Sequence, residues 1–332
     1  MSSARTSFGR DSTPRPGRRL ALVLGLLLSA AACTDQAPVE GALRIVSYNV
    51  ARGYAMDLAD APVIGAALPD RLRLRRALRE DPGLRGAAVF ALQELCGEDG
   101  EAHVAAIADA LWEDAPPSVV FHRADPFKAG ACGEGNAIVS RLPMRRAGSL
   151  PLPKVGGMVR TAVWADLDLR GRHGAWDGAG DGEGIVRVWS LHLDHSATHG
   201  SATAARLQQL RAVLDATSAF RARHPAAAVV IAGDFNTLQG KEPAILAATT
   251  AGDGDLQSAL PDETTTHVLG WTLDWILFAG LQPRSSGTVT LPLSDHFAIR
   301  ADFDPHSDGL AKPAGSVTES SPGRRRPAAD RP

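Results

Sequence analysis

The chain is short of several things, and each shortage excludes a class of protein. Its 332 residues hold three cysteines, and aromatic residues make up 5%. No apolar run reaches the roughly 20 residues that a membrane-spanning helix needs; the longest, Leu20 to Ala32, stops well short. Positive charge is not in excess. The formal net charge is -2, and residues 1–33 carry five Arg against one Asp, which leaves 30 basic and 36 acidic residues, about -6, in the remainder. No global basic surface therefore advertises nucleic acid, although an acidic protein can still carry a positive cleft. His192 and His195 stand in an HxxH spacing, but zinc needs more committed His or Cys ligands than "SATHGSATAA" around them supplies. The Gly/Asp stretch "GAGDGEG" leads into a strand pattern and not a helix start, which excludes a nucleotide-binding loop. No internal repeat is visible.

What is present is ordinary globular composition, 44% hydrophobic and 22% charged, enough for one large domain or two small ones. Arg15, Arg18 and Arg19 precede the apolar run, which ends in small residues at Cys33, so residues 1–32 read as a secretory signal. "LLLSAAAC" resembles a bacterial lipoprotein signal in which Cys33 becomes the lipidated first residue, with Ala30 where Leu is usual. Plain secretion with a free Cys33 is the alternative. Residues 34–42 form a polar linker, residues 43–304 one domain, and residues 305–332, rich in Ser, Pro and Gly, a disordered tail.

Within the domain, β-branched and apolar runs such as "LRIVSYNV", "GAAVFALQEL", "SVVFHRAD", "NAIVSR", "TAVWADLDL", "IVRVWSLHLD", "AAVVIAGDF", "LDWILFAG" and "HFAIRADF" read as strands. "DRLRLRRALRED", "EAHVAAIADALWE" and "SATAARLQQLRAVLDATSAFRARH" read as helices. Many strands with few crossover helices imply a β-rich α/β sandwich, not a doubly wound sheet.

Several strands end in polar groups that could meet at one mouth. "IVSYN" ends in Asn49, "VFALQE" in Glu94, "VWSLH" in His192 and "VVIAGD" in Asp234, with Asn236 two residues on. "WTLDW" embeds Asp274, and "SDHFAIRADFD" opens on Asp295 and His296. Any one of these reads as a turn or cap residue. Together, carboxylates with Asn and two His suit a hard, oxygen-ligated divalent ion beside proton-transfer groups.

The stretches "IVSYNV", "LQEL", "GNAIVSRLP", "SLHLDH", "GDFNT", "LDWIL" and "SDHFAI", in that order, resemble the motif set of the endonuclease/exonuclease/phosphatase superfamily. Pancreatic-type deoxyribonucleases, apurinic-site endonucleases, sphingomyelinases and inositol-polyphosphate phosphatases belong to it. The resemblance implies a four-layer α/β sandwich of two packed mixed, mostly antiparallel sheets flanked by helices. It implies that Asn49, Glu94 and Asp295 hold Mg²⁺, with Mn²⁺ or Ca²⁺ as alternatives. Asp234 would orient or deprotonate water, Asn236 would bind the scissile phosphate, and His192 would donate to a phosphate oxygen or the leaving group. Asp274 would fix the tautomer of His296. Arg160 and Asn136 would line the substrate cleft; Arg206 and Gln209 match a following pattern but also read as helix surface. The expected partner is a phosphoester, from DNA or a phospholipid, and the expected state a monomer, membrane-tethered if Cys33 is lipidated. A non-catalytic binding protein on the same fold is the contrasting reading.

Three further expectations follow from the residues alone. An exported chain with Cys33 lipidated leaves Cys96 and Cys132 to pair as a disulfide beside the site. Trp271 and Trp275 read as core. His103, His122, His173, His224, His267 and His306 read as surface or cap residues.

Overall fold

The computed structural model describes residues 41–51, 71–95, 100–112, 117–124, 134–154, 159–170, 184–195, 201–237, 256–291 and 293–304. The expected signal, the Cys33 anchor and the tail lie outside the described residues, as do Cys96, Cys132 and the bridge expected between them.

Alternation of side chains along each strand explains the layering. On β1 (Leu43–Asn49), Leu43 and Ile45 face one way, and Val46 and Tyr48 the other. Both faces are buried, so each strand needs two apolar partners. One partner is the second sheet. The first sheet has the order β11-β12-β1-β2-β4-β3 and the second β5-β6-β7-β8-β10-β9. The first is built from β1, β2 (Val89–Leu95), β3 (Ser118–Arg123), β4 (Gly135–Ser140), β11 (Gln282–Val289) and β12 (Ala298–Asp304). The second is built from β5 (Met144–Pro151), β6 (Thr161–Asp168), β7 (Ile185–His192), β8 (Ala228–Asp234), β9 (Gln257–Ser258) and β10 (Asp274–Ala279).

Ile45, Ala91 and Ile138 of the first sheet interleave with Val163, Val188, Val230 and Ile276 of the second to form the central core. The outer face of the first sheet is covered by Leu74 and Leu78 of α1 (Arg71–Glu80) and by Val104 and Ile107 of α2 (Gly100–Leu111). The outer face of the second is covered by Leu210, Val213 and Phe220 of α3 (Ser201–Arg223). The result is the expected four-layer sandwich. Arg76 and Arg79 of α1 face solvent, where both meet Glu80, at 2.7 and 2.9 Å, so this part of the densest basic helix is a solvated face.

The two sheets share one device that positions the site. In each, the two central strands are parallel, β1 with β2 and β7 with β8, and the remaining pairs are antiparallel. A parallel pair needs a crossover; α1 lies in the chain between β1 and β2, and α3 between β7 and β8. Both pairs therefore end together, at Asn49 and Glu94 in one sheet and His192 and Asp234 in the other. Ligands of open α/β sheets bind outside such carboxyl ends.

The strands that the pattern did not reveal, β5, β9 and β11, are all sheet edges. "RRAGSLP", "QS" and "QPRSSGTV" carry Pro, Gly, Ser and Arg, the residues that blunt an edge against unwanted pairing.

Candidate active site

Moving along the gap between the sheets, the apolar core gives way to a polar layer. Gln93 Nε2 donates to Ser190 Oγ at 3.0 Å and lies 3.3 Å from Ser47 Oγ, which joins the two sheets by hydrogen bonds. One step further the titratable groups begin. Backbone register sets a row of them on the second sheet: His192 is the neighbour of Asp234 on β8, and Asp234 the neighbour of Asp274 on β10.

The first sheet supplies its members less directly. On strict alternation Glu94 would face away from Gln93. A bulge between Leu92 and Leu95 and a left-handed backbone at Glu94, φ 54°, re-aim it. Its Oε1 then accepts from Asn49 Nδ2 at 3.1 Å. The other left-handed non-glycine residues, Ala51 at 44° and Asn236 at 52°, flank the same mouth. Strain of about 1–3 kcal/mol at each such residue persists only where surrounding contacts enforce it. The Ala51 N–H donates to Asn49 Oδ1 at 3.0 Å, and the Asn236 N–H to Asp234 Oδ1 at 2.8 Å. Gly233, φ 148°, is needed beside them because a Cβ there would meet the Leu191 carbonyl oxygen at 2.0 Å.

Asp234 is the hub. Its Oδ2 accepts from Asn49 Nδ2 at 3.0 Å and lies 3.5 Å from His192 Nε2 and 3.7 Å from His296 Nε2. Burial pushes its carboxyl up to about 7, against the opposing pull of His296. His296 Nδ1 lies 2.9 Å from Asp274 Oδ2, the expected pair. Burial opposes charge on this imidazole, but Asp274 and Asp234 outweigh it and raise it to about 10. The second histidine is the opposite case. Arg160 Nη1 lies 3.1 Å from His192 Nδ1. Guanidinium only donates, so Nδ1 holds a lone pair and the proton sits on Nε2, facing Asp234. Burial and the Arg160 charge keep His192 neutral, well below its ordinary value. One mouth thus holds a charged and a neutral imidazole either side of one carboxylate.

The remaining expected residues are placed with some corrections. Asn236 Nδ2 donates to the Leu193 carbonyl at 3.0 Å. Asn136 is buried and donates to the Thr161 carbonyl at 2.6 Å, next to Arg160. Arg160 holds His192 and also His195, whose Nδ1 is 2.9 Å from Nη2. His195, set aside in the sequence as part of a loop, is therefore part of the site. Arg206 and Gln209 are not helix surface: both are buried, and they clamp Asp194 through its carbonyl and its N–H at 3.0 and 2.9 Å. Asp295, expected near or on the ion, has its Oδ2 3.4 Å from His267 Nε2. His267 is buried, not a surface residue. Trp275 is core, but Trp271 is 41% exposed and stacks on His267 at 5.3 Å and 12°. None of these cross-chain contacts has a periodic signature that would reveal it in the sequence.

The donor set fits a hard divalent cation. Glu94 is pushed up by burial and by Glu134, Asp234 is pushed up by burial, and Asp274 Oδ1 is buried without a hydrogen-bond partner among the described residues. Carboxylates so short of compensation suit an oxygen-ligated ion. Asp234, Asp274 and His296, and likewise His267, Asp295 and His296, offer ligand atoms within 4.8 Å of one another. Asn49 turns its Nδ2 toward the carboxylates, so it would present its oxygen to an ion only after a half-turn of the carboxamide.

Comparison with known proteins gives a consistent result. The Endonuclease/Exonuclease/phosphatase family matches residues 46–296. No curated protein matches the chain. Among solved structures, an endonuclease/exonuclease/phosphatase from Beutenbergia cavernae is 20% identical with a TM-score of 0.60, over 79% of this chain and 71% of that one. The human Nocturnin catalytic domain, with bound sulfate anion, is 18% identical with a TM-score of 0.55, over 79% and 93%. Truncated Caenorhabditis elegans TDP2 is 19% identical with a TM-score of 0.53, over 79% and 97%. At these identities the likeness is one of fold.

Proposed function

This chain belongs to the Endonuclease/Exonuclease/phosphatase family, and from that premise we propose that it is a divalent-metal-dependent phosphoesterase that cleaves phosphodiesters. One observation carries the reading: Asp234 Oδ2 sits among Asn49, His192 and His296 where the central parallel pairs of both sheets end. Asp234 takes the proton of the attacking water as the water oxygen bonds to phosphorus. Neutral His192 donates its Nε2 proton as a hydrogen bond to a phosphate oxygen. Charged His296, held by Asp274, gives its proton to the leaving oxygen as the P–O bond breaks, and Asp234 returns the proton across their 3.7 Å contact. A divalent ion at Glu94 and Asp295, with Asn49, would supply Lewis-acid charge for the phosphoryl oxygens; Mg²⁺ suits such a site. Arg160 holds His192 and His195 in place and adds positive charge to the mouth. The sulfate in the Nocturnin structure is a tetrahedral anion, which supports a phosphoryl group as the ligand here.

Nuclease activity is the favoured form. Trp271 stands exposed at the rim with one ring face on His267 and offers the flat surface that stacks a base. A second reading, phospholipid hydrolysis, draws on Val268 and Leu269 in the same turn, 42% and 61% exposed. Either activity would follow export, as a lipoprotein anchored at Cys33 or as a free monomer. The test is hydrolysis of plasmid DNA, a generic aryl phosphodiester and sphingomyelin by the purified protein, with Mg²⁺ and with EDTA. We expect DNA cleavage abolished by chelation. Activity that survives thorough chelation overturns metal dependence, and no hydrolysis of any substrate favours the binding-protein reading.

A further inference from the structure

The segment from Thr264 to Thr272 belongs to none of the motifs that placed the site, yet it contacts the start of β10 and the residues around His296. Thr266 Oγ1 accepts the N–H groups of Leu273 and Asp274 at 2.9 and 3.0 Å, which fixes the start of β10. The Thr266 carbonyl accepts from the Phe297 N–H at 2.7 Å, and the Val268 N–H donates to the Asp295 carbonyl at 2.9 Å. His267 and His296 are thus paired as an isolated antiparallel bridge.

The His267 ring is over-determined. It lies flat against Trp271 and edge-on to His296 at 4.9 Å. The Leu269 N–H donates to its Nδ1 at 3.1 Å. That donor forces the lone pair onto Nδ1 and the proton onto Nε2. The proton then points at Asp295 Oδ2, 3.4 Å away. Ser294 Oγ gives its single proton to the Asn49 carbonyl at 2.8 Å and reaches Asp295 Oδ1 only at 3.5 Å. Among the described residues, Oδ2 of Asp295 is thus met by the His267 N–H, while Oδ1 meets Ser294 only weakly, at 3.5 Å.

We propose that His267 is a positioning residue for Asp295: its Nε2–H holds Oδ2 so that Oδ1 is presented to a divalent cation. The proposal rests on the metal-dependent reading of the site. It assigns the Leu269 N–H the task of setting the imidazole tautomer and Trp271 the task of keeping the ring in plane. A hydrogen-bond partner of this kind behind a metal ligand is worth about 10–100-fold in metal affinity. His267 touches neither the attacking water nor the leaving oxygen in this arrangement, so its loss should appear in cation affinity.

The experiment is Mn²⁺ binding by calorimetric titration of the purified protein, with the Mg²⁺ dependence of hydrolysis as a second readout. Gln reaches as far as Nε2 and keeps an N–H there; Asn does not reach. His267→Ala and His267→Asn should each bind Mn²⁺ about tenfold more weakly than the wild type, and His267→Gln should recover to within about threefold. Equal Mn²⁺ affinity in wild type, Asn and Gln variants overturns the role of His267 alone. A wild type that binds no divalent ion overturns the metal-dependent reading and the proposal with it. If His267→Ala fails to fold, the Gln and Asn pair still decides the matter.

Discussion

Strands β1 and β12 carry two buried charge clusters, and the clusters are built on opposite rules. On the outer face of the first sheet, Arg44 grips Asp302 with two hydrogen bonds, 2.6 and 2.8 Å, and uses its third nitrogen on the Gly83 and Arg85 carbonyls. Arg300 and Ser285 complete the carboxylate at 3.0 and 2.6 Å. Burial alone would raise Asp302; its hydrogen bonds to Arg44 and Ser285 hold it below the ordinary carboxylate range. At the other end of the same strands, Glu94, Asp234 and Asp274 crowd together with Asn49 and His296, and two of these carboxyls are pushed up. The first cluster is closed and electrostatically satisfied. The second leaves a buried carboxylate oxygen unpartnered among the described residues and keeps three non-glycine residues in the left-handed region. Fold stability and chemistry have been assigned to different ends of the same two strands, and substitutions should separate them.

The largest separation should come from Glu94→Gln. It removes a carboxylate that burial and Glu134 already destabilise. Hydrolysis should fall on the order of 10³-fold or more, beyond the 10–100-fold typical of groups behind the ligands, while the melting temperature stays level or rises. A variant that melts far below wild type would show that the mouth is structural after all.

Asp302→Ala is the mirror image. It leaves Arg44 and Arg300, both buried, without their carboxylate. Breaking one side of a buried pair costs about 3–5 kcal/mol. Urea unfolding should show that loss, and the surviving folded fraction should keep wild-type kcat. A loss of kcat with little loss of stability would erase the distinction between the clusters.

What the sequence revealed follows the same division. The central strands β1, β2, β7, β8 and β10 were legible because burial on both faces leaves long apolar runs ending in polar residues. The motifs that close those runs placed Asn49, Glu94, His192, Asp234, Asp274 and His296 at one mouth. The edges β5, β9 and β11 were not legible, since an edge strand selects for Pro, Gly and charge. Nor were the roles of His267 and Trp271, whose positions depend on a segment that folds across the mouth by single backbone contacts, such as Phe297 N–H to Thr266, and such contacts leave no spacing in the chain. Arg206 and Gln209 were marked by a pattern, but nothing in it separated a clamp on Asp194 from helix surface. The pairing of Arg44 with Asp302, 258 residues apart, escaped for the same reason.

The smallest effect is a pH-dependent one, and its sign follows from the site. His296 is raised to about 10 from an ordinary 6.5, so its contribution to stability is complete below 6.5 and is lost as pH rises through about 10. Asp234 is raised to about 7 from an ordinary 3.8, so stability also falls as pH rises from about 3.8 through 7. His192 has the reverse sign, because below its ordinary 6.5 the unfolded chain takes up a proton that the folded one refuses. Below about pH 6.5 the Asp234 and His192 contributions oppose each other, so metal-free protein should change little there and lose stability steadily from about pH 6.5 toward pH 9.5. A divalent ion competes with these protons, so its stabilisation should grow as pH rises through about 7 and reach about 2.7 kcal/mol at a hundredfold excess over Kd. Asp274→Asn removes a carboxylate that holds the His296 proton, so the alkaline loss should move to lower pH in that variant. Thermal melts between pH 5 and 9.5, with and without Mg²⁺, measure all three effects. A metal-free melting temperature that is flat from pH 6 to 9.5, or a profile that Asp274→Asn leaves in place, would mean that the mouth holds its protons no more tightly than the unfolded chain does. The contrast between a satisfied cluster and an unsatisfied one would then fail at its electrostatic root.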